Sequence, residues 1–258
     1  MSVFTTEHRP GAPGRPAVVF MSALFAGSWI WDAPMAAVAE QGWPVLRTKE
    51  PICGVDRRVA GSIERLGDEL LAACDEAGET ANGVVVCANS LGGLVAIDLA
   101  ARYPERVRGI VVSGAPGLTA DPDVGLSMDR RGSVSLNDEF RDLMLSALFY
   151  GDPLFTEEQI RLTADLLSTG EAMVAMARSL RATRSYQVAA SLGKVDCPSL
   201  FVWGQDDQMT PIDAWQELVP TFERTQMVPV AECGHIPMVE RPDVYDAELL
   251  AFLDRVSR

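Results

Sequence analysis

Three polar side chains of this 258-residue chain have the types and surroundings that nucleophilic catalysis needs. Ser90 lies in Ala88-Asn89-Ser90-Leu91-Gly92, with a small residue two positions away on either side. His235 is one of two histidines. The other, His8, precedes the first apolar run, so an imidazole base for Ser90 is expected to be His235. Asp206 and Asp207 follow Gly204 in a third segment. A serine hydroxyl attacks an acyl carbon when a base removes its proton, and that base needs a carboxylate to fix its tautomer and stabilise the imidazolium. Serine, aspartate and histidine in that chain order meet the requirement. Of the two acids, Asp207 is the expected partner because it sits deeper in the turn, with Asp206 as its solvated neighbour.

These side chains need elements that bring them to one place. Val84-Val85-Val86-Cys87 reads as a buried strand, and Leu94, Val95, Ile97 and Leu99 among alanines read as a buried helix. Only one tight turn fits between them, with Ser90 at its apex. Such a turn strains the apex residue and tolerates only small neighbours. It also holds the hydroxyl at a helix N-terminus, where free N–H groups favour a developing anion. The same turn would also suit a serine that merely caps the helix. Two further strands, Ser199–Trp203 and Gln226–Val230, run into Gly204-Gln205-Asp206-Asp207 and Cys233-Gly234-His235. In a sheet of alternating strands and helices, loops at the carboxyl ends of strands gather on one rim.

The rest of the chain keeps that alternation. Residues 2–8 read as an edge strand, 17–21 as a buried strand, and a helix runs from Trp29 or Trp31 to before Gly42. A strand at 44–47, a helix spaced through Ile63, Leu66, Leu70, Leu71 and Cys74, and a strand at 107–113 follow. From 118 to 184 there is no strand run, but there are helical patterns at 140–150, 157–168 and 171–180. Alternation then resumes, with helices at 212–219 and 243–256. This pattern predicts an α/β fold, a mostly parallel sheet flanked by helices, with a core of residues 1–117 and 185–258 and an inserted helical lid at 118–184. Leu143, Met144, Leu148, Phe149, Met173 and Met176 of the lid either line an apolar pocket or pack the lid on the core.

Composition narrows the function classes. A net charge of −14 and a pI near 4.6 argue against nucleic acid or an anionic membrane as partner and leave a small-molecule substrate. No apolar run approaches ~20 residues and no signal peptide is visible, so the expected location is cytoplasmic. Five cysteines without a CxxC pair predict no disulfide framework, and no His/Cys cluster has metal-ligand spacing, so neither metal nor cofactor is expected.

Four stretches together resemble the α/β-hydrolase superfamily over nearly the whole chain. They are Ala88-Asn89-Ser90-Leu91-Gly92-Gly93, Tyr103-Pro104-Glu105-Arg106-Val107, the run from Cys197 to Asp207, and the run from Gly234 to Pro242. The resemblance implies a Ser90–Asp207–His235 triad and an oxyanion hole made by the Leu91 N–H and, by position, the Leu24 N–H. The chain departs from the family where a His-Gly pair usually opens the loop after the first matched strand, since Ser22-Ala23 stands there. Ser22 either supplies a hydroxyl donor or fills space, and Ala23 narrows or re-aims the hole. The loop Phe25-Ala26-Gly27-Ser28-Trp29-Ile30-Trp31 resembles the hydroxynitrile lyase and methylesterase branch. Asn89-Ser90-Leu91-Gly92-Gly93 and Gly114-Ala115-Pro116-Gly117-Leu118 resemble carbon–carbon bond hydrolases, although Ile236 replaces the tryptophan usual after their histidine. Ser22, Phe25, Trp29, Asn89, Phe149 and Ile236 are the expected substrate-binding residues. The leading expectation is hydrolysis of an ester or related acyl bond. The alternatives are elimination or carbon–carbon cleavage at the same site, and a non-catalytic ligand-binding protein.

Overall fold

The computed structural model describes residues 2–78, 80–118 and 146–257. Seven strands form one sheet in the order β1-β3-β2-β4-β5-β6-β7. They are β1 (Thr6–Arg9), β2 (Ala17–Met21), β3 (Val45–Thr48), β4 (Val84–Asn89), β5 (Val107–Ser113), β6 (Ser199–Gly204) and β7 (Thr225–Val230). Only β1 runs antiparallel, paired with β3 at the edge; the other neighbours are parallel. The opposite edge is β7, where Pro229 is tolerated because the outer side needs no ladder donor.

Both faces of the sheet are covered, which explains why the central strands read as unbroken apolar runs. Val19, Val86, Ile110 and Phe201 belong to one apolar layer, together with α3 (Ile63–Glu76) and α4 (Leu91–Arg102). Val18, Val85, Cys87, Val111 and Val202 belong to the other, under α1 (Asp32–Glu40) and α10 (Pro242–Val256). All six residues of β4 are buried, and each valine contributes about 1.5–3 kcal/mol by leaving water. α3 shows how such a helix is specified. Ile63, Leu66, Leu70, Leu71 and Cys74 are buried along one face, and the Ser62 hydroxyl caps the start by accepting the Arg65 N–H.

Between β5 and β6 lie α5 (Glu157–Leu167) and α6 (Gly170–Ser185). α6 runs five residues beyond the expected end at Leu180. The extension is supported at Thr183, which is buried and whose hydroxyl donates to Ser179 O at 3.0 Å, and no breaker intervenes. α6 packs on the short α2 (Arg57–Ala60). Of the two roles open to Met173 and Met176, both side chains take the second, packing against the α3–α4 layer. A short helix α7 (Val188–Leu192) went unread, because five residues are too few to show a period. Most of the helix expected at 140–150, with Leu143 and Met144, lies outside the described residues; 146–148 are helical. The remaining helices are α8 (Asp213–Leu218) and α9 (Pro237–Glu240). Among the described residues, no helix is long and apolar enough to cross a membrane, and no group of three metal-ligating side chains gathers.

Candidate active site

Ser90 stands between β4 and α4 with φ 56° and ψ −130°. A positive φ in a residue with a side chain costs roughly 1–3 kcal/mol and persists only where the surroundings enforce it. Here they do. The Ser90 N–H donates to Ser113 O at 2.8 Å, tying the turn to the end of β5, and the Gly93 N–H returns to Ser90 O at 2.8 Å. The small residues are needed for contact between chains. A Cβ on Gly93 would lie 2.8 Å from Ala115 Cβ and 2.9 Å from Val112, and one on Gly92 would touch Ala88 at 3.4 Å.

The two backbone donors expected at an oxyanion hole belong to Leu91 and Leu24. Leu91 opens α4, and its N–H has no backbone acceptor among the described residues. In the loop after β2, Ala23 O accepts the Ile52 N–H at 3.0 Å and Leu24 O accepts the Cys53 N–H at 2.8 Å. The peptide between Ala23 and Leu24 is trans and planar, so fixing its carbonyl on Ile52 turns the Leu24 N–H to the opposite side. This loop abuts the start of α4, since a Cβ on Gly92 would be 3.3 Å from Ser22 O.

His235 and Asp207 form a buried pair. Nδ1 of the ring lies 2.9 Å from Asp207 Oδ2 and 3.1 Å from Oδ1. The histidine side chain is 4% exposed and the aspartate 0%. Asp206, by contrast, is exposed, and its N–H donates to Cys233 O at 3.0 Å. The ends of β6 and of the histidine loop touch closely, and a Cβ on Gly204 would sit 2.0 Å from Gly234 O. Nδ1 faces carboxylate oxygens, which only accept, so the proton sits on Nδ1 and neutral Nε2 is left as the basic nitrogen. No hydrogen bond joins Ser90 Oγ to His235 among the described residues. Both groups flank the Ser113–Gly114 backbone: Ser113 O holds the Ser90 N–H, and a Cβ on Gly114 would be 2.7 Å from His235 Cε1. Serine–histidine hydrogen bonds are often long before substrate arrives.

Three of the expected substrate-binding residues instead support the frame. Ser22 is fully buried, and its hydroxyl donates to Thr48 O at 3.0 Å, so it fixes the loop to β3 and offers no donor to an oxyanion. Asn89 is buried and its Nδ2 donates to His235 O at 3.0 Å and Ser113 O at 3.3 Å, tying the serine turn to the histidine loop. Ile236 is buried in the apolar layer with Ala23. Phe149 is buried as well, edge-on to Phe155 at 4.9 Å, and Phe155 is edge-on to Trp29 at 6.1 Å. Phe25, Trp29 and Phe155 keep partial exposure.

Sequence reasoning missed several residues that hold the histidine. The His235 N–H donates to Leu148 O at 2.9 Å. Glu240 accepts the Gly234 N–H on Oε1 and the Tyr150 N–H on Oε2, both at 2.9 Å. Burial, against those two backbone donors, leaves its carboxyl above the usual range. Thr210 donates its hydroxyl to Asp207 Oδ2 at 2.8 Å. A threonine three residues after a candidate carboxylate was the available signal.

A family model described as the alpha/beta hydrolase family matches residues 18–248. A 2-hydroxy-6-oxononadienedioate/2-hydroxy-6-oxononatrienedioate hydrolase from Burkholderia vietnamiensis is 30% identical over 178 residues, 65% of this chain and 61% of that protein. The chain thus spans about 60% of the length of the curated relatives it matches. Among solved structures, a meta-cleavage product hydrolase superposes with a TM-score of 0.78 at 20% identity, covering 97% of this chain and 94% of the other. An enol-lactonase from Burkholderia xenovorans superposes with a TM-score of 0.76 at 19% identity, covering 96% of each chain. At these identities the superpositions establish a common architecture.

Proposed function

Because the chain belongs to the alpha/beta hydrolase family, we propose that it hydrolyses an ester or related acyl bond of a small, largely apolar molecule through an acyl-Ser90 intermediate. One observation carries this reading: a buried Asp207–His235 pair on the same rim as a serine held at positive φ. His235 Nε2 takes the Ser90 proton as Oγ adds to the acyl carbon, and the carbonyl electron pair moves onto an oxygen that faces the Leu24 and Leu91 N–H groups. Collapse breaks the bond to the leaving group, which receives the proton from His235. A water then gives its proton to His235, attacks the acyl carbon and releases the acid, and Ser90 recovers its hydroxyl. Asp207 stays ionised and steadies the imidazolium throughout. In this reading the described residues 146–184 belong to a lid over the core of 1–117 and 185–258, and Phe25, Trp29 and Phe155 supply apolar wall.

A fluorophosphonate probe tests the reading, because only an activated serine displaces its fluoride. The wild type should be labelled at Ser90 and Ser90→Ala should not, with turnover of p-nitrophenyl esters falling by several orders of magnitude. An unlabelled wild type, or full ester turnover by Ser90→Ala, would overturn it.

A second reading is hydrolysis of a carbon–carbon bond next to a ketone. The named hydrolase relative and the Asn89-Ser90-Leu91-Gly92-Gly93 stretch favour it, and Ile236 after the histidine is its departure. Loss of the dienol absorbance of a 2-hydroxy-6-oxo-dienoate, compared with ester turnover, separates the two. Labelled water separates either from elimination, since hydrolysis alone places solvent oxygen in the acid.

A further inference from the structure

We propose that Thr210 is a positioning residue of this site, its hydroxyl setting the plane of the Asp207 carboxylate against the His235 ring. The inference rests on the assignment of Ser90, His235 and Asp207 made under the proposed function.

The terminal torsion of an aspartate is broad, so its hydrogen bonds decide which way the carboxylate faces. Oδ1 of Asp207 is fixed by two backbone donors, the N–H groups of Met209 and Thr210, both at 2.9 Å. Oδ2, the oxygen nearer the ring, has one other donor among the described residues, the Thr210 hydroxyl at 2.8 Å. Without that hydroxyl, Oδ2 would be held by the histidine alone. Oδ1 would keep its two backbone donors, while the oxygen nearer the ring would lose its only anchor apart from the ring itself among the described residues.

The same hydroxyl also faces the ring. Thr210 Oγ1 lies 3.2 Å from His235 Nδ1. Its single hydrogen goes to a carboxylate that can only accept, so a lone pair is left toward Nδ1. Nδ1 therefore looks onto three acceptor oxygens: Asp207 Oδ1, Asp207 Oδ2 and Thr210 Oγ1. A proton on Nδ1 is favoured in each direction, and Nε2 is kept bare for the serine. Thr210 is itself anchored, since the Trp203 indole N–H donates to Thr210 O at 2.9 Å from within β6. Thr210 is buried, with 8% of its surface exposed.

Thr210→Val keeps the shape and deletes the hydroxyl, whereas Thr210→Ser keeps the hydroxyl and deletes a methyl. Two readouts apply: the rate of Ser90 labelling by a fluorophosphonate, and the downfield proton resonance of His235 Nδ1–H. Thr210→Val should label roughly 10- to 100-fold more slowly, the range a lost hydrogen bond to a charged group gives. Its Nδ1–H resonance should move or broaden into exchange with water. Thr210→Ser should stay within about threefold of wild type with the resonance in place. A Val variant with wild-type rate and an unmoved resonance overturns the proposal. So does a Ser variant as slow as Val, which would assign the effect to volume. If Thr210→Val does not fold, Thr210→Ala takes its place with the same expectations. Should the wild type fail to label, the acyl-enzyme reading falls, and the resonance in the two variants still decides the role of Thr210.

Discussion

Gly114→Ala tests the geometry of the rim without removing any catalytic group. The added methyl would lie 2.7 Å from His235 Cε1 and 2.8 Å from Nδ1. Ordinary contact between such atoms is ~3.5–4.0 Å, so the ring or the strand end must yield by roughly 1 Å. The ring has little room to retreat. Nδ1 is bonded to Asp207, the backbone N–H to Leu148 O, and the backbone carbonyl to Asn89. Displacement of a reacting group by about 1 Å costs on the order of 100-fold in rate. Gly114 also sits at φ 58°, where a side chain costs about 1–2 kcal/mol. The expected variant is folded, less stable by about that amount in urea, and about 100-fold slower in fluorophosphonate labelling. Gly117→Ala is the control: its φ is 108°, but its nearest neighbour is Val188 Cγ1 at 3.4 Å. It should lose stability and keep its labelling rate. Full labelling by folded Gly114→Ala, or an equal loss in Gly117→Ala, would refute the placement of His235 beside this strand end.

Asp246 is half-buried, and burial with the nearby Asp243 pushes its carboxyl to about 6 from an unfolded value of 3.8. The folded state then binds the extra proton between those values, so stability falls as pH rises through that window. Asp246→Asn should raise the urea midpoint at pH 7.5 by the equivalent of about 1 kcal/mol, allowing for solvent screening, and lose that gain below about pH 4. Glu240→Gln leaves an amide NH2 facing either the Gly234 or the Tyr150 N–H. Unfolding should then be easier by about 1–2 kcal/mol, with slower labelling of Ser90, and unchanged values in both assays would contradict the clamp. Asp206→Asn should label within about twofold of wild type, while Asp207→Asn should be slower by on the order of 10³–10⁴; reversal of that order would exchange the roles of the two acids.

The frame of the site was legible wherever one physical demand dominated. Three valines before a serine ringed by small residues allow few conformations, and Ser90 is found at the strained turn that spacing requires. The depth of Asp207 in its turn separated it from exposed Asp206 by burial alone. Where several loops converge, sequence does not reveal which way a side chain points. Ser22, Asn89 and Ile236 lie beside the expected pocket, yet each turns inward because buried polar groups and apolar layers claim it. Thr210 and Glu240 went unread because their partners are 3 and 6 residues away through loops without regular geometry. Backbone acceptors such as Leu148 O carry no sequence signal.

Residues 148–150 are tied to the histidine loop at both ends. Leu148 O accepts the His235 N–H, and the N–H groups of Tyr150 and Gly234 share the Glu240 carboxylate. A door bolted to its own lock cannot swing without undoing the lock. Lifting this stretch would strand the amides of Gly234 and His235 and unseat the imidazole before any molecule entered. These three residues therefore stand as a fixed jamb beside the histidine loop.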